Sequence, residues 1–152
     1  MVTLTLTNLI KSLLWWFVFA LIVFLSLHPE PVVALAPDAG EIGKIKGSGV
    51  LERNGAVITG GSGVGVKSMD TAVTANGTMQ IDFVDETRVD ITEHSRLLID
   101  EFVYDPSNDR GSLSLKASLG TVRYASGQIA KKYKQNVKIR TPSATIGVRG
   151  TD

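Results

Sequence analysis

The chain has 152 residues, with 16 Lys and Arg against 15 Asp and Glu, so a net charge of +1 selects neither nucleic acid nor an acidic membrane surface as partner. It has no cysteine, which excludes disulfides, thiolate metal sites and a lipidated cysteine anchor. One folded domain is the expectation for this length once the N-terminal segment is set aside.

The first 36 residues differ in kind from the rest. Residues 13–27, LLWWFVFALIVFLSL, form an apolar run with one Ser and no charge, preceded by Lys11. A secretory apolar region takes about 7–15 residues, whereas a spanning helix needs about 20. The run is therefore predicted to be the hydrophobic helix of a signal peptide. His28, Pro29, Glu30 and Pro31 break it, and Val32-Val33-Ala34 offers a small-x-small cleavage pattern. The alternative is an uncleaved N-terminal anchor, with Leu9 and Ile10 extending the span and Lys11 reaching the interface. In either case membrane contact is confined to this segment, and everything after Pro37 is expected outside the cytoplasm, periplasmic or extracellular.

Residues 37–42, PDAGEI, are predicted as a linker, and residues 43–152 as one domain. Residues 43–48 enter the first strand. Asn54-Gly55, between residues 49–53 and 56–59, is a two-residue hairpin signal because both positions tolerate positive φ. Gly60-Gly61-Ser62-Gly63 turns the chain again, and residues 64–66 and 71–74 are short strands around a turn at Ser68-Met69-Asp70. In residues 78–84, Met79, Ile81 and Phe83 face one way and Gln80 and Asp82 the other. After a turn at Asp85-Glu86-Thr87, Val89 and Ile91 point inward, followed by Leu97, Ile99, Phe102 and Tyr104. Beyond a polar loop at residues 105–111, Leu113, Leu115, Ala117 and Leu119 form another inward row. Val122, Tyr124, Val137, Ile139, Ala144, Ile146 and Val148 complete the set. Only residues 126–133 hint at a helical period. Roughly ten short strands with regular turns predict an all-β fold, a two-layer sandwich or a short solenoid-like β-roll.

Several of these segments resemble the FecR-type domain of bacterial envelope proteins. The resemblance runs through Thr71 to Thr74, through MQIDFVDETRV from Met79 to Val89, through Leu97-Leu98-Ile99-Asp100, and through Leu119-Gly120-Thr121-Val122. It is most specific at Thr141, Pro142, Ala144, Gly147, Arg149, Gly150 and Thr151, in the ending TPSATIGVRGT. It covers about residues 43–152 and implies a non-enzymatic exported module that binds or senses a protein partner in the envelope. The best-known members are membrane-spanning regulators of iron-uptake sigma factors, with a cytoplasmic anti-sigma region before the span. About twelve residues precede the apolar run here, too few for such a region, so the sigma-regulating output is not expected. The alternative role is a structural or surface-assembly domain, with the chain read as the N-terminal part of a longer secreted protein. The family usually continues into another strand, so an open edge strand offers a route to self-association.

Charge is unevenly spread. Between Asp82 and Asp109 nine acidic residues face only Arg88 and Arg96, whereas residues 110–149 carry nine Lys or Arg and no acid. Stacking of the two halves would neutralise them across neighbouring strands; otherwise they offer opposite surfaces for docking. The tightest basic cluster, Lys131-Lys132-Tyr133-Lys134, is the predicted contact surface and is placed in a loop. No catalytic residue, cofactor or metal ligand is assigned. His94 is the only His after residue 36 and is read as a turn residue. The oxygen-rich loop at residues 105–111 lacks the closing bidentate Glu of a calcium loop. Asp82 with Asp90, or Asp100 with Glu101, is a weak version of a glycosidase pair.

Overall fold

The structure is a computed structural model that describes residues 38–147, all within one compact unit, Ala36–Asp152. The predicted export segment, and Val148, Arg149, Gly150 and Thr151 of the terminal motif, lie outside the described residues.

Strands β1 (Gly40–Arg53) and β2 (Ala56–Thr59) pair antiparallel, with Arg53 opposite Ala56. Asn54 and Gly55 between them have φ of 49° and 81°, as the predicted two-residue turn requires. The predicted linker is shorter than expected, because β1 already begins at Gly40. Ile42 is the physical reason: it is fully buried opposite Ile81 and so belongs to the core.

The two short strands predicted at residues 71–74 and 78–84 are one strand, β4 (Thr71–Phe83), paired with β1 along its length. The register slips between Ile42 and Lys44 and again between Gly47 and Gly49. At the second slip the backbones approach too closely for side chains. A Cβ on Gly47, whose φ is +74°, would run into the Asn76 carbonyl, and one on Gly77 into the Lys46 carbonyl. The glycine that weakens the strand signal therefore keeps the strand continuous.

β3 (Gly65–Val66), β5 (Arg88–Ile91), β6 (Arg96–Asp105), β7 (Arg110–Leu119), β8 (Val122–Ala125), β9 (Val137–Arg140) and β10 (Thr145–Gly147) complete the fold. The ten strands of the described residues join one open sheet, with the path β10-β9-β7-β6-β4-β1-β2 and a branch from β4 through β5 to β8. The all-β prediction holds. Its two suggested forms resolve into a single sheet because β4 pairs with β6 through Thr71–Val73 and with β5 through Met79–Asp82. The parallel β7–β9 pair makes the sheet mixed. One short helix, α1 (Gln128–Lys132), stands where the helical hint lay.

The core follows the alternation. Ile42, Leu51, Met79, Ile81, Val89, Ile91, Leu97, Ile99, Leu113, Leu115 and Val137 are buried, and Phe83 stacks on Phe102 with ring centroids 5.1 Å apart. The inward rows fail at two places. Leu119 is 62% exposed because β7 carries an extra residue: Leu97 faces Ala117 but Arg96 faces Leu119. One inserted residue reverses the facing of the rest of the strand. Ala144 and Ile146 are also exposed, Ile146 by 51%, because among the described residues β10 ends the sheet path and pairs only with β9.

Gly47→Val should destabilise the protein by about 3 kcal/mol or more, since it adds steric overlap to left-handed strain. Gly55→Ala has the same positive φ but nothing within 4 Å of the new Cβ, and should cost only about 1 kcal/mol. Urea denaturation of the two variants checks the difference.

Candidate functional site

The resembling motif around Asp85 has a structural task. Asp85 and Thr87 are both buried, so their polar atoms need partners inside the protein. Asp85 accepts from the Thr87 amide (3.1 Å) and hydroxyl (2.8 Å) and, across a long sequence gap, from the Ile129 amide (3.1 Å). The Thr87 hydroxyl oxygen accepts from the Gly127 amide at 3.2 Å, and the Asp85 carbonyl accepts from the Gln128 amide at 2.7 Å. Gly127 at the helix N-cap has no side chain to satisfy the first free amides of α1, so Asp85 and Thr87 do this from another part of the chain. Only glycine fits there, because a Cβ would meet the Thr87 amide and the Asp85 carbonyl. The Tyr124 hydroxyl is buried beside Thr87 and Ser126 without a hydrogen bond of normal geometry, and burial raises its pKa.

Two further polar ties fix the strands. Buried Asp70 holds Arg53 through Nε (2.8 Å) and Nη2 (2.6 Å) and accepts from the Lys67 amide at 2.8 Å. The Thr74 hydroxyl donates to the Thr92 carbonyl at 2.5 Å and accepts from the Ser95 amide at 3.0 Å, while Ser95 Oγ accepts from the Thr121 amide at 3.2 Å. These residues are supports with their bonding used internally.

The described part of the terminal motif, residues 141–147, closes a hairpin. The Thr141 amide donates to the Ala144 carbonyl at 2.8 Å, the Ala144 amide donates to Thr141 Oγ1 at 3.1 Å, and Pro142 sits at the second turn position. This turn joins β9 to β10, with Arg140 opposite Thr145 and Gly147 opposite Lys138.

The predicted basic surface is split by its tyrosine. Lys131 and Lys132 are exposed, whereas Tyr133 is buried against Gly111 and donates its hydroxyl to Asp109 at 2.9 Å. Lys132 bonds the same carboxylate at 2.5 Å and lies 5.3 Å from the Tyr133 ring centre. Lys132 thereby holds the Asp109 carboxyl below the usual range, so the pair contributes above pH ~4 and fades as pH falls through the lowered value. The segment is α1 and a 3₁₀ turn after it (Lys134–Asn136), where the sequence predicts a loop.

Other charges adopt the neutralising arrangement. Arg140 lies 3.7 Å from Asp100, and Asp90 is registered opposite Arg123, so the acidic and basic stretches meet side by side. Asp82 is taken up by Arg88 at 2.8 Å and by Gln80 at 2.9 Å. His94 is an exposed turn residue with φ of 51°. Asp105 folds its own loop, accepting from the Asn108 amide (3.2 Å) and side chain (2.6 Å). Among the described residues no group of three potential ligands is placed to hold a metal.

One surface escapes the sequence reading. Lys44, Gln80, Asp90 and Arg123 stand in register across β1, β4, β5 and β8, with Lys46 opposite Thr78 one row along. Together with Ile45, Met79, Ile91 and Thr92 they line an open groove of about 330 Å³. The outward alternation of Lys44 and Lys46 is a usable signal, but Arg123 joins them only through the branch of the sheet.

A protein-family model described as FecR protein matches residues 70–152. No curated protein and no solved structure matches the chain. The matched region begins at Asp70 and contains Asp85, Thr87 and the β9–β10 hairpin.

Asp85→Ala should cost about 3 kcal/mol or more, because it leaves the buried Ile129 and Thr87 amides without an acceptor. Glu93→Ala, at an exposed turn, should stay within about 0.5 kcal/mol of the parent. Thermal and urea unfolding of the two variants checks this contrast.

Proposed function

Since the chain belongs to the FecR protein family, a bacterial envelope family with sensing-type domains, we propose that it is a non-enzymatic module that binds a protein partner in the envelope. Residues 1–36 act in this reading as a signal peptide or anchor that places the module outside the cytoplasm, in the periplasm or beyond it. Among the described residues no helix is long and apolar enough to cross a membrane.

The observation that carries the proposal is the β9–β10 hairpin. It contains residues 141–147 of the most specific family segment, ends the sheet path of the described residues and leaves Ile146 half-exposed. A partner strand laid along β10 would gain backbone hydrogen bonds from the edge that no described strand covers, and apolar contact from Ile146. The buried polar groups Asp70, Thr74, Asp85, Thr87 and Ser95 are committed to holding strands and helix together. That division suits recognition by a rigid surface, and no cofactor or nucleic acid has a part in it.

A structural or assembly role is the second reading. Its support is the other end of the path, where β2 exposes Val57 by 68%. Two free edges would let copies pair end to end. The acidic and basic stretches add little to such assembly, because Asp100 and Asp109 are already paired with Arg140 and Lys132 of the same chain.

Capture from envelope extracts tests the proposal. One defined protein should be retained by the parent chain and by Val57→Lys, with retention reduced about tenfold by Ile146→Lys, the size of loss expected of a central apolar anchor. Self-association of the purified chain, lost in both variants and with no partner retained, would favour assembly. Glycan hydrolysis abolished by Asp82→Asn or Asp90→Asn would overturn the non-enzymatic reading.

A further inference from the structure

We infer that the groove across β1, β4, β5 and β8 is a second recognition site, taking an extended acidic peptide segment with carboxylates four residues apart. It lies on the face of the sheet, away from the β10 edge, and stands or falls separately from the reading above.

The groove carries unspent charge. Three cations, Lys44, Lys46 and Arg123, line the groove against one acid, Asp90. Neither Lys46 nor Arg123 forms a salt bridge with a described residue, although Arg123 is registered opposite Asp90. Lys44 feels Asp82, whose carboxylate is already bonded to Arg88. By contrast Lys132, in the basic run most visible in the sequence, is taken up by Asp109. The groove thus gathers three cations on exposed side chains of paired strands.

Spacing selects the ligand. The row from Lys44 through Gln80 and Asp90 to Arg123 crosses three strand intervals, roughly 14 Å at ~4.8 Å each. An extended peptide advances ~3.3 Å per residue and repeats its facing every second residue, so positions i and i+4 share a face about 13 Å apart. Two carboxylates at that separation reach the Lys44–Lys46 end and Arg123 together. Between them the peptide backbone can donate to Asp90 and accept from Gln80. A uniformly anionic polymer would meet the repulsion of Asp90 at mid-groove. The groove lining contains no aromatic ring on which a sugar or a base would stack.

The test uses the full chain and three probes: a fluorescent Glu-Thr-Ser-Thr-Glu peptide, its isomer Glu-Thr-Ser-Glu-Thr, and polygalacturonate. In low salt the first peptide should bind, more tightly than the isomer, and should weaken as salt screens the charges. The double change Lys46→Glu with Arg123→Glu should weaken it about tenfold, and the neutral pair Lys46→Gln with Arg123→Gln about threefold, as for exposed ion pairs. Lys131→Glu with Lys132→Glu, and Ile146→Lys, should leave it unchanged. Equal binding of the two peptides, no loss in either groove double variant, no binding of the first peptide in low salt, or binding of polygalacturonate alone would each overturn the proposal.

Discussion

The described part of this protein depends on a carboxylate that water does not reach. Asp85 is fully buried, and a buried polar side chain is tolerated only when hydrogen-bond partners surround it. The donors come from two places: the turn just after it, through Thr87, and the start of α1, through Ile129. A short helix with glycine at its cap would be marginal alone, since few residues share the cost of starting it. Seated on Asp85 and Thr87, it brings Ile129 and Ala130 into the core and delivers the chain to Tyr133, the 3₁₀ turn and β9. The clamp thus lies upstream, in structural terms, of the parallel β7–β9 pair and of the β10 edge.

Sheet continuity does the complementary work. β4 is long enough to serve β1 along one side and both β6 and β5 along the other, so one strand distributes the rest. Its pairing with β1 survives the slip after Gly47 because Gly47 and Gly77 allow the backbones to meet where side chains would collide. Buried polar groups secure the strand ends, with Asp70 on Arg53 and Thr74 on Ser95. The features left free are peripheral: edges at β10 and β2, and a basic groove on the sheet face. Such a frame supports recognition without asking the core to move.

Much of this is legible in the sequence because period-two alternation survives wherever a strand stays in register. Met79, Ile81, Val89, Ile91, Leu97, Ile99, Leu113 and Leu115 are readable as core for that reason, and Asn54-Gly55 as a turn because few dipeptides accept two positive φ values. Leu119 misleads because a bulge changes facing without changing composition. Ile146 alternates correctly and faces the core side, opposite Ile139, yet an edge strand lacks cover. Tyr133 reads as surface since three lysines surround it, while its ring fills the space beside Gly111. The clamp and the groove are least legible, because Asp85 with Ile129 and Lys44 with Arg123 are joined by topology, which local pattern does not encode.

Native-state hydrogen exchange of the parent protein tests the central claim most directly. If the clamp is part of the global fold, the amides of Gly127 and Ile129 should exchange only through whole-molecule unfolding, with the same opening free energy as the amides of Ile81 and Leu115 in the sheet. Exchange of Gly127 and Ile129 through a local opening, while Ile81 and Leu115 stay protected, would contradict it and leave α1 an ornament on a sheet that holds without it.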